Sequence, residues 1–270
     1  MVGGARAPQL SRGVSQKPMT ASTSLMQAGT RSESPGHSLG RDGFAVAATQ
    51  LPASTCDAIL RDLERASHPR SSRRRGGVRN LFDLVPAVRD LARASILRDL
   101  VEPVLGRRCF AVGATLFDKS PLSNWPVSWH QDLTIAVQEQ RELGGWGPWS
   151  QKAGVSYVQP PASILENMLA VRVHLDQCEV DAGCLRVVPG SHGLGRLGDL
   201  AIAGLRQTGV SVKCPVARGG LLLMRPLLVH CSSRAAEPAH RRVVHLEYAG
   251  VDLPHGLKWH QRVEAALGSG

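Results

Sequence analysis

The chain has 270 residues, 43% of them hydrophobic and 4% aromatic, and a formal charge of +10. That length and apolar content support one sizeable folded domain with appendages, and the scarcity of aromatics beside the basic residues argues against a base-stacking nucleic-acid surface. The charge is uneven: residues 1–80 carry 12 Lys/Arg against five Asp/Glu, a surplus of seven out of the total +10, so the basic balance describes the N-terminal part and not the body.

Residues 1–40 are rich in Gly, Ser, Pro, Thr and Arg and have no hydrophobic period. They read as a disordered extension, and residues 41–270 as the folded domain. Order is expected to begin with a short strand at Asp42-Gly43-Phe44-Ala45-Val46. A helix follows over 54–66, with Ser54 or Thr55 as cap and Ile59, Leu60 and Leu63 on its apolar stripe. Residues 68–79, with Arg73-Arg74-Arg75, read as a basic loop, either solvated or a lid that meets an anionic substrate. The spacing of Val88, Leu91, Ile96, Leu97, Leu100 and Val104 predicts one helix over 86–105.

From Arg107 onward the pattern changes to short β-like runs broken by Gly and Pro: 108–117, 127–137, 168–176, 183–188, 220–230 and 241–250. Many short strands with turn signals imply a sandwich or barrel. Helices come first and strands after them, the order expected when helices pack outside one β-core. The fold class is therefore mainly β with flanking helices. Six cysteines stand singly, with no CxxC pair, which fits ordinary thiols in a reducing cytoplasm. No run of 18 apolar residues exists, so no transmembrane helix and no membrane partner are expected.

The chemistry concentrates in two places. Ser128-Trp129-His130-Gln131-Asp132-Leu133-Thr134 alternates, so in a strand His130, Asp132 and Thr134 share one face. An imidazole and a carboxylate two residues apart are two thirds of a 2-His-1-carboxylate triad, the donor set of non-haem Fe(II) sites. The second place is the apolar run 221–229, ending in His230 and then Cys231, Ser232 and Ser233. Arg241 lies eleven residues further on, in a strand that a hairpin would return beside His230. Arginine is the side chain suited to clamp a carboxylate with two parallel hydrogen bonds.

With these residues in view the chain resembles the phytanoyl-CoA dioxygenase family of Fe(II)/2-oxoglutarate-dependent oxygenases. The pattern of that family, HxD, a distal His and an Arg about eleven residues later, falls on His130, Asp132, His230 and Arg241. Leu169–Asp176 is similar to its central strand. Gly183-Cys184-Leu185-Arg186-Val187-Val188-Pro189-Gly190-Ser191-His192 is similar to its Gly-x-Leu-x-Val-x-Pro-Gly-Ser-His segment. The likeness covers about residues 42–250. It implies a double-stranded β-helix, the cupin-like jelly roll. It also implies that His130, Asp132 and His230 bind Fe(II), that Arg241 pairs with the distal carboxylate of 2-oxoglutarate, and that O2 is the oxidant, with succinate and CO2 as products. Ascorbate would help maintain Fe(II). Gln131 and Ser232 match positions that often contact 2-oxoglutarate in this family, and either is equally readable as an ordinary hydrogen bonder.

Arg241 and Arg242 point to opposite faces. Arg241 shares its face with Val243, His245 and Glu247, a polar set suited to a barrel interior, and the spacing in the family also selects it; Arg242 is the alternative. Arg172 and His174 project together from the central strand and could form a cavity wall or an outer face. Lys119 either meets the co-substrate or the substrate, or is exposed. Trp125, Trp129, Trp146 and Trp149 cluster around the HxD, as pocket wall or as packing. His245 lies mid-strand at the wrong spacing for a ligand.

The leading reading is an oxygenase that hydroxylates or otherwise oxidises a small-molecule substrate, acting as monomer or homodimer. Retention of Asp132 disfavours halogenation, because related halogenases replace that carboxylate. Two other classes compete: a non-catalytic cupin-like metal binder, and a metal-dependent hydrolase or isomerase that needs no 2-oxoglutarate.

Overall fold

The computed structural model describes residues 35–66 and 77–265. In chain order, α1 (Pro35–Arg41), β1 (Phe44–Gln50), α2 (Ala53–Ala66), α3 (Leu81–Leu84), α4 (Pro86–Arg93) and α5 (Ser95–Leu105) come first. The β-rich part follows: β2 (Phe110–Lys119), β3 (Val127–His130), β4 (Ile135–Val137), β5 (Trp149–Lys152), β6 (Val155–Val158), α6 (Ala162–Glu166), β7 (Met168–His174) and β8 (Leu185–Val187). It ends with α7 (Asp199–Gln207), β9 (Val212–Cys214), β10 (Gly220–Met224), β11 (His230–Ser232) and β12 (Arg241–Ala249).

The helices form for local reasons. In α2 the buried residues Cys56, Ile59 and Leu63 recur at three- and four-residue steps, one stripe of a helix. Pro86 opens α4, where its missing N–H costs nothing. Gly106 ends α5 with a φ of 86°, a conformation glycine adopts without a Cβ penalty. Arg98 is buried and donates to the carbonyls of Cys109 at 2.6 Å and Arg107 at 3.0 Å, besides its ion pair with Glu102. It thereby staples α5 to the segment entering β2.

Three antiparallel sheets result. The largest has the order β1-β10-β7-β12-β2, the second β3-β11-β8-β9, and the third β4-β6-β5. One face of the large sheet (Val171, Val173, Leu221, Leu223, Val244, Leu246 and Tyr248) packs under α1 to α5 in the main core. Its opposite face meets the second sheet, where Ala170, Leu222 and Met224 contact Leu185, Val187 and Cys214. Every residue of β7 is buried, as expected of a strand covered on both faces. Two facing antiparallel sheets with an open end and helices outside one of them form the jelly roll, mainly β with flanking helices, as expected.

Several boundaries differ from the sequence reading. α1 falls within the segment expected to be disordered. Leu39 anchors it in the main core, fully buried, and a single apolar anchor leaves no periodic signal; residues 1–34 lie outside the described residues. The expected helix over 86–105 is two helices, because Ala94 is extended, with a ψ of 142°. The expected strand over 127–137 breaks after His130, and β4 joins the third sheet instead of continuing β3. The run 220–230 likewise divides into β10 and β11, with a turn at Arg225–Leu228. The basic segment Arg73-Arg74-Arg75, read as a loop, lies outside the described residues.

Candidate metal centre and its basic pocket

His130, the last residue of β3, pairs directly across the ladder with His230, the first residue of β11. Their rings stand 4.2 Å apart, tilted by 50°. Each Nδ1 lies 2.8 Å from a backbone carbonyl two residues earlier, that of Ser128 for His130 and that of Leu228 for His230. With Nδ1–H donating there, each Nε2 presents a lone pair to the same point. Asp132 is held by its backbone N–H, which donates to Pro226 at 2.9 Å. Its carboxylate lies 3.6 Å from His130 Nε2 and 3.7 Å from His230 Nε2. The three ligand atoms all lie within 4.8 Å of one another.

The electrostatics favour the protonation states a metal needs. Burial pulls His230 down to about 4, against the charge of Asp132. Burial pushes the carboxyl of Asp132 up, but the two histidines outweigh it and hold it well below the usual carboxylate range. For His130 burial acts downward, and the hydrogen bond and charge of Asp132 more than reverse it. Two imidazoles and one carboxylate, with one side left open, suit Fe(II) and leave positions for further ligands.

That open side is basic. Lys119, Arg172, Arg241, His245 and Ser232 line a pocket with the triad, closed by Phe117, Trp125, Val127, Leu185 and Cys231. Lys119 lies directly across the ladder from Arg241. Its ammonium donates to Ser232 Oγ at 2.9 Å and to the carbonyl of Ser233. Arg241 donates from Nη1 to the carbonyl of Gly183 at 2.7 Å, while its buried Nε has no partner. The Nη1 of Arg172 is 3.2 Å from His245 Nδ1, its Nε is also unpartnered, and its guanidinium lies 5.6 Å over the Phe117 ring. Burial lowers Lys119 to about 8, aided by the charge of Arg241. Burial likewise lowers Arg172 to about 10, and His245, beside Arg172, to about 3.

Lys119, Arg172 and Arg241 are 1%, 7% and 4% exposed. None of them forms an ion pair among the described residues. Buried charges without counter-charge are costly. All three converge on one pocket, where an anion would offset them.

The other singled-out residues fall as follows. Arg242 points away from the pocket. It clamps Asp176 through Nε and Nη2, both at 2.8 Å. Gln131 takes the alternative of an ordinary hydrogen bonder. It sits on the face opposite the ligands, and its amide is consumed by backbone: Nε2 donates to Gly195 and Leu227, and Oε1 accepts from Leu197. It does not line the pocket. His174 is buried, with neither ring nitrogen partnered. Of the four clustered tryptophans Trp125 alone lines the pocket. Trp146 and Trp149 pack on a second core with Ile135 and Trp259, and Trp129 lies under the Arg186 guanidinium. Phe117 and Leu185 escaped the sequence reading, because apolar wall residues carry no signal distinct from core. His245 is not one of the three ligands, but it does wall the pocket.

A jelly roll holding a His-x-Asp…His triad beside a basic pocket defines a non-haem iron oxygenase. The chain belongs to the phytanoyl-CoA dioxygenase family, whose pattern it matches over residues 39–243, and it is accordingly an oxidoreductase of the iron- and 2-oxoglutarate-dependent type. No curated protein matches it. Among solved structures it is similar to AviO1 from Streptomyces viridochromogenes Tue57, at 25% identity and a TM-score of 0.57, covering 82% of this chain and 94% of that one. SnoK, a non-heme alpha ketoglutarate dependent carbocyclase from nogalamycin biosynthesis, shares 16% identity with a TM-score of 0.64, over 91% of this chain and 92% of that one. EctD from S. alaskensis, in its apoform, shares 17% with a TM-score of 0.62, over 90% and 91%. At such identities the last two speak for the fold. Among the described residues no helix is long and apolar enough to cross a membrane.

Proposed function

We propose that the protein oxidises, most simply by hydroxylation, a C–H bond of a small organic molecule, with 2-oxoglutarate as co-substrate. His130, Asp132 and His230 would hold Fe(II) at three positions on one side. Bound Fe(II) and 2-oxoglutarate supply the oxidation, in which O2 gives one oxygen atom to the substrate and one to succinate as CO2 leaves. The observation that carries this reading is the group of buried, unpaired cations beside the triad. Arg241 would take the distal carboxylate in its fork, Lys119 would add a second charge across the ladder, and Ser232 a hydroxyl. Arg172, backed by His245, would neutralise charge nearer the metal. Phe117, Trp125 and Leu185 would keep water from the reacting centre. The six cysteines, all unpaired and buried, suit a reducing cytoplasm, where ascorbate can maintain Fe(II).

Anaerobic addition of 2-oxoglutarate to the Fe(II) protein tests this. A visible metal-to-ligand charge-transfer band should appear, and His130→Ala should abolish it. A metal-only cupin or a hydrolase would bind Fe(II) and give no such band. Succinate release across a metabolite library would then identify the substrate.

A further inference from the structure

One polar group on the inner face of β12 lies beyond the lining of the co-substrate pocket. Arg241, Val243, His245 and Glu247 share the inner face of β12, and Glu247 stands opposite Gly113 on β2 and Ala170 on β7. It is one rung, about 7 Å, beyond His245 and about 20 Å along the strand from Arg241. Arg241 and His245 line the pocket with the metal triad, and the charge of Asp132 reaches both His245 and Glu247. If 2-oxoglutarate spans from Arg241 to the metal, Glu247 lies on the other side of the metal, where a substrate must sit.

The placement of this carboxyl is specific. A Cβ on Gly113 would stand 2.7 Å from Glu247 Oε2, so the carboxyl occupies space that glycine leaves open. It makes no hydrogen bond or ion pair among the described residues. Lys152, Tyr157, Thr134 and Arg79 complete the cluster from the third sheet and the segment before α3. Lys152 Nζ donates to Thr134 Oγ1 at 3.3 Å and lies 4.7 Å over the Tyr157 ring. The charge of Arg79 acts on Tyr157, and the charges of Lys152 and Arg79 both reach Glu247. All five residues are half-buried. Two cations already face one carboxyl, so a further cation would be repelled. A neutral hydroxyl can donate to Glu247 and accept from Lys152.

We propose that Glu247 and Lys152 are the substrate-specificity pair of this enzyme, and that they select a small molecule rich in hydroxyl groups and carrying no positive charge. This rests on the oxygenase reading and adds the chemical class of its substrate.

The test uses the full chain loaded anaerobically with Fe(II) and 2-oxoglutarate, with the charge-transfer band as proof of loading. Calorimetry and perturbation of that band then follow binding of myo-inositol and methyl glucoside, against cyclohexanol and 2-aminocyclohexanol. The hydroxyl-dense probes should bind and shift the band, and the other two should bind at least tenfold more weakly. Glu247→Ala should weaken the hydroxylated probes at least tenfold while 2-oxoglutarate affinity stays within twofold, and Glu247→Gln, which still accepts, should lose less. Gly113→Ala provides a second variant, since it meets the movable end of a side chain and not backbone; it should weaken the same probes by displacing the carboxyl. The proposal is overturned if no hydroxylated probe binds, if the ammonium probe binds better, or if Glu247→Ala leaves probe affinity unchanged. Failure to load 2-oxoglutarate at all would instead overturn the oxygenase reading, and this inference with it.

Discussion

At the scale of single residues the two adjacent arginines make opposite predictions. Arg241→Ala removes a buried guanidinium from the pocket and should raise the KM for 2-oxoglutarate by a factor of about 100, from the loss of one bidentate charge-assisted pair of roughly 3 kcal/mol. Arg242→Ala breaks an ion pair on the outside of the barrel, with side chains 22% and 20% exposed. It should cost about 1 kcal/mol of stability and leave that KM unchanged; steady-state kinetics on both variants decides. Lys119 adds a pH dependence. Its pKa in the anion-free pocket is lowered to about 8 by burial and by Arg241. Its charge is present below that pH and lost as pH rises through it, so kcat/KM for 2-oxoglutarate should fall above about 8. Lys119→Met should flatten that limb at a lower level, and an unchanged limb in this variant would assign it to another group. Much of this was legible beforehand. The spacings of His130, Asp132, His230 and Arg241 were readable, but the expected hairpin was not found: β11 and β12 lie in different sheets, and the chain crosses from one to the other between His230 and Arg241. Which way Lys119 and Arg172 point was open, because a lysine or arginine in a β-run has the same letters whether it faces solvent or a cavity.

Elements set what those residues can do. The strand carrying the HxD ends at His130, and the chain turns before β4 joins a different sheet. Gln131 sits at that turn. Its amide ties the break to Leu227, which precedes β11, and to Gly195 and Leu197 after the Pro-Gly-Ser-His segment. Gln131→Leu leaves these three backbone groups without a partner and should cost about 2–3 kcal/mol of stability. Calorimetry and denaturant melts would show the loss, and the metal affinity should fall with it because the hinge between two ligands loosens. A co-substrate contact at this position would instead raise the KM for 2-oxoglutarate with stability intact. Alternation predicted the correct face for His130 and Asp132 and missed the break between them. The break depends on backbone partners more than 60 residues away, which local pattern does not encode. The same holds for Ala94: its apolar neighbours keep helical spacing on both sides, and only tertiary packing interrupts them.

At the scale of the whole molecule the fold trades stability for a receptor. The helices bury one face of the large sheet completely, and that closed core carries the stability. The opposite face holds three buried, unpaired cations and an imidazole with no hydrogen-bond partner, a local cost that ligand binding should recover. Fe(II) and 2-oxoglutarate should therefore raise Tm in two separable steps. At ligand concentrations about 100-fold above Kd each step is worth roughly 2.7 kcal/mol, or about 5–10 °C for a domain of this size. Asp132→Ala should lose the metal step and with it the co-substrate step, whereas Arg241→Ala should keep the first and lose most of the second. Equal shifts in wild type and Arg241→Ala would mean that the basic pocket does not receive the co-substrate. This division also explains why the two halves of the site differed in legibility. The metal and anion half lies on few strands at fixed spacing. The half around Glu247 is assembled from β12, β2, the third sheet and the segment before α3, four stretches with no shared period, and only folding brings them together.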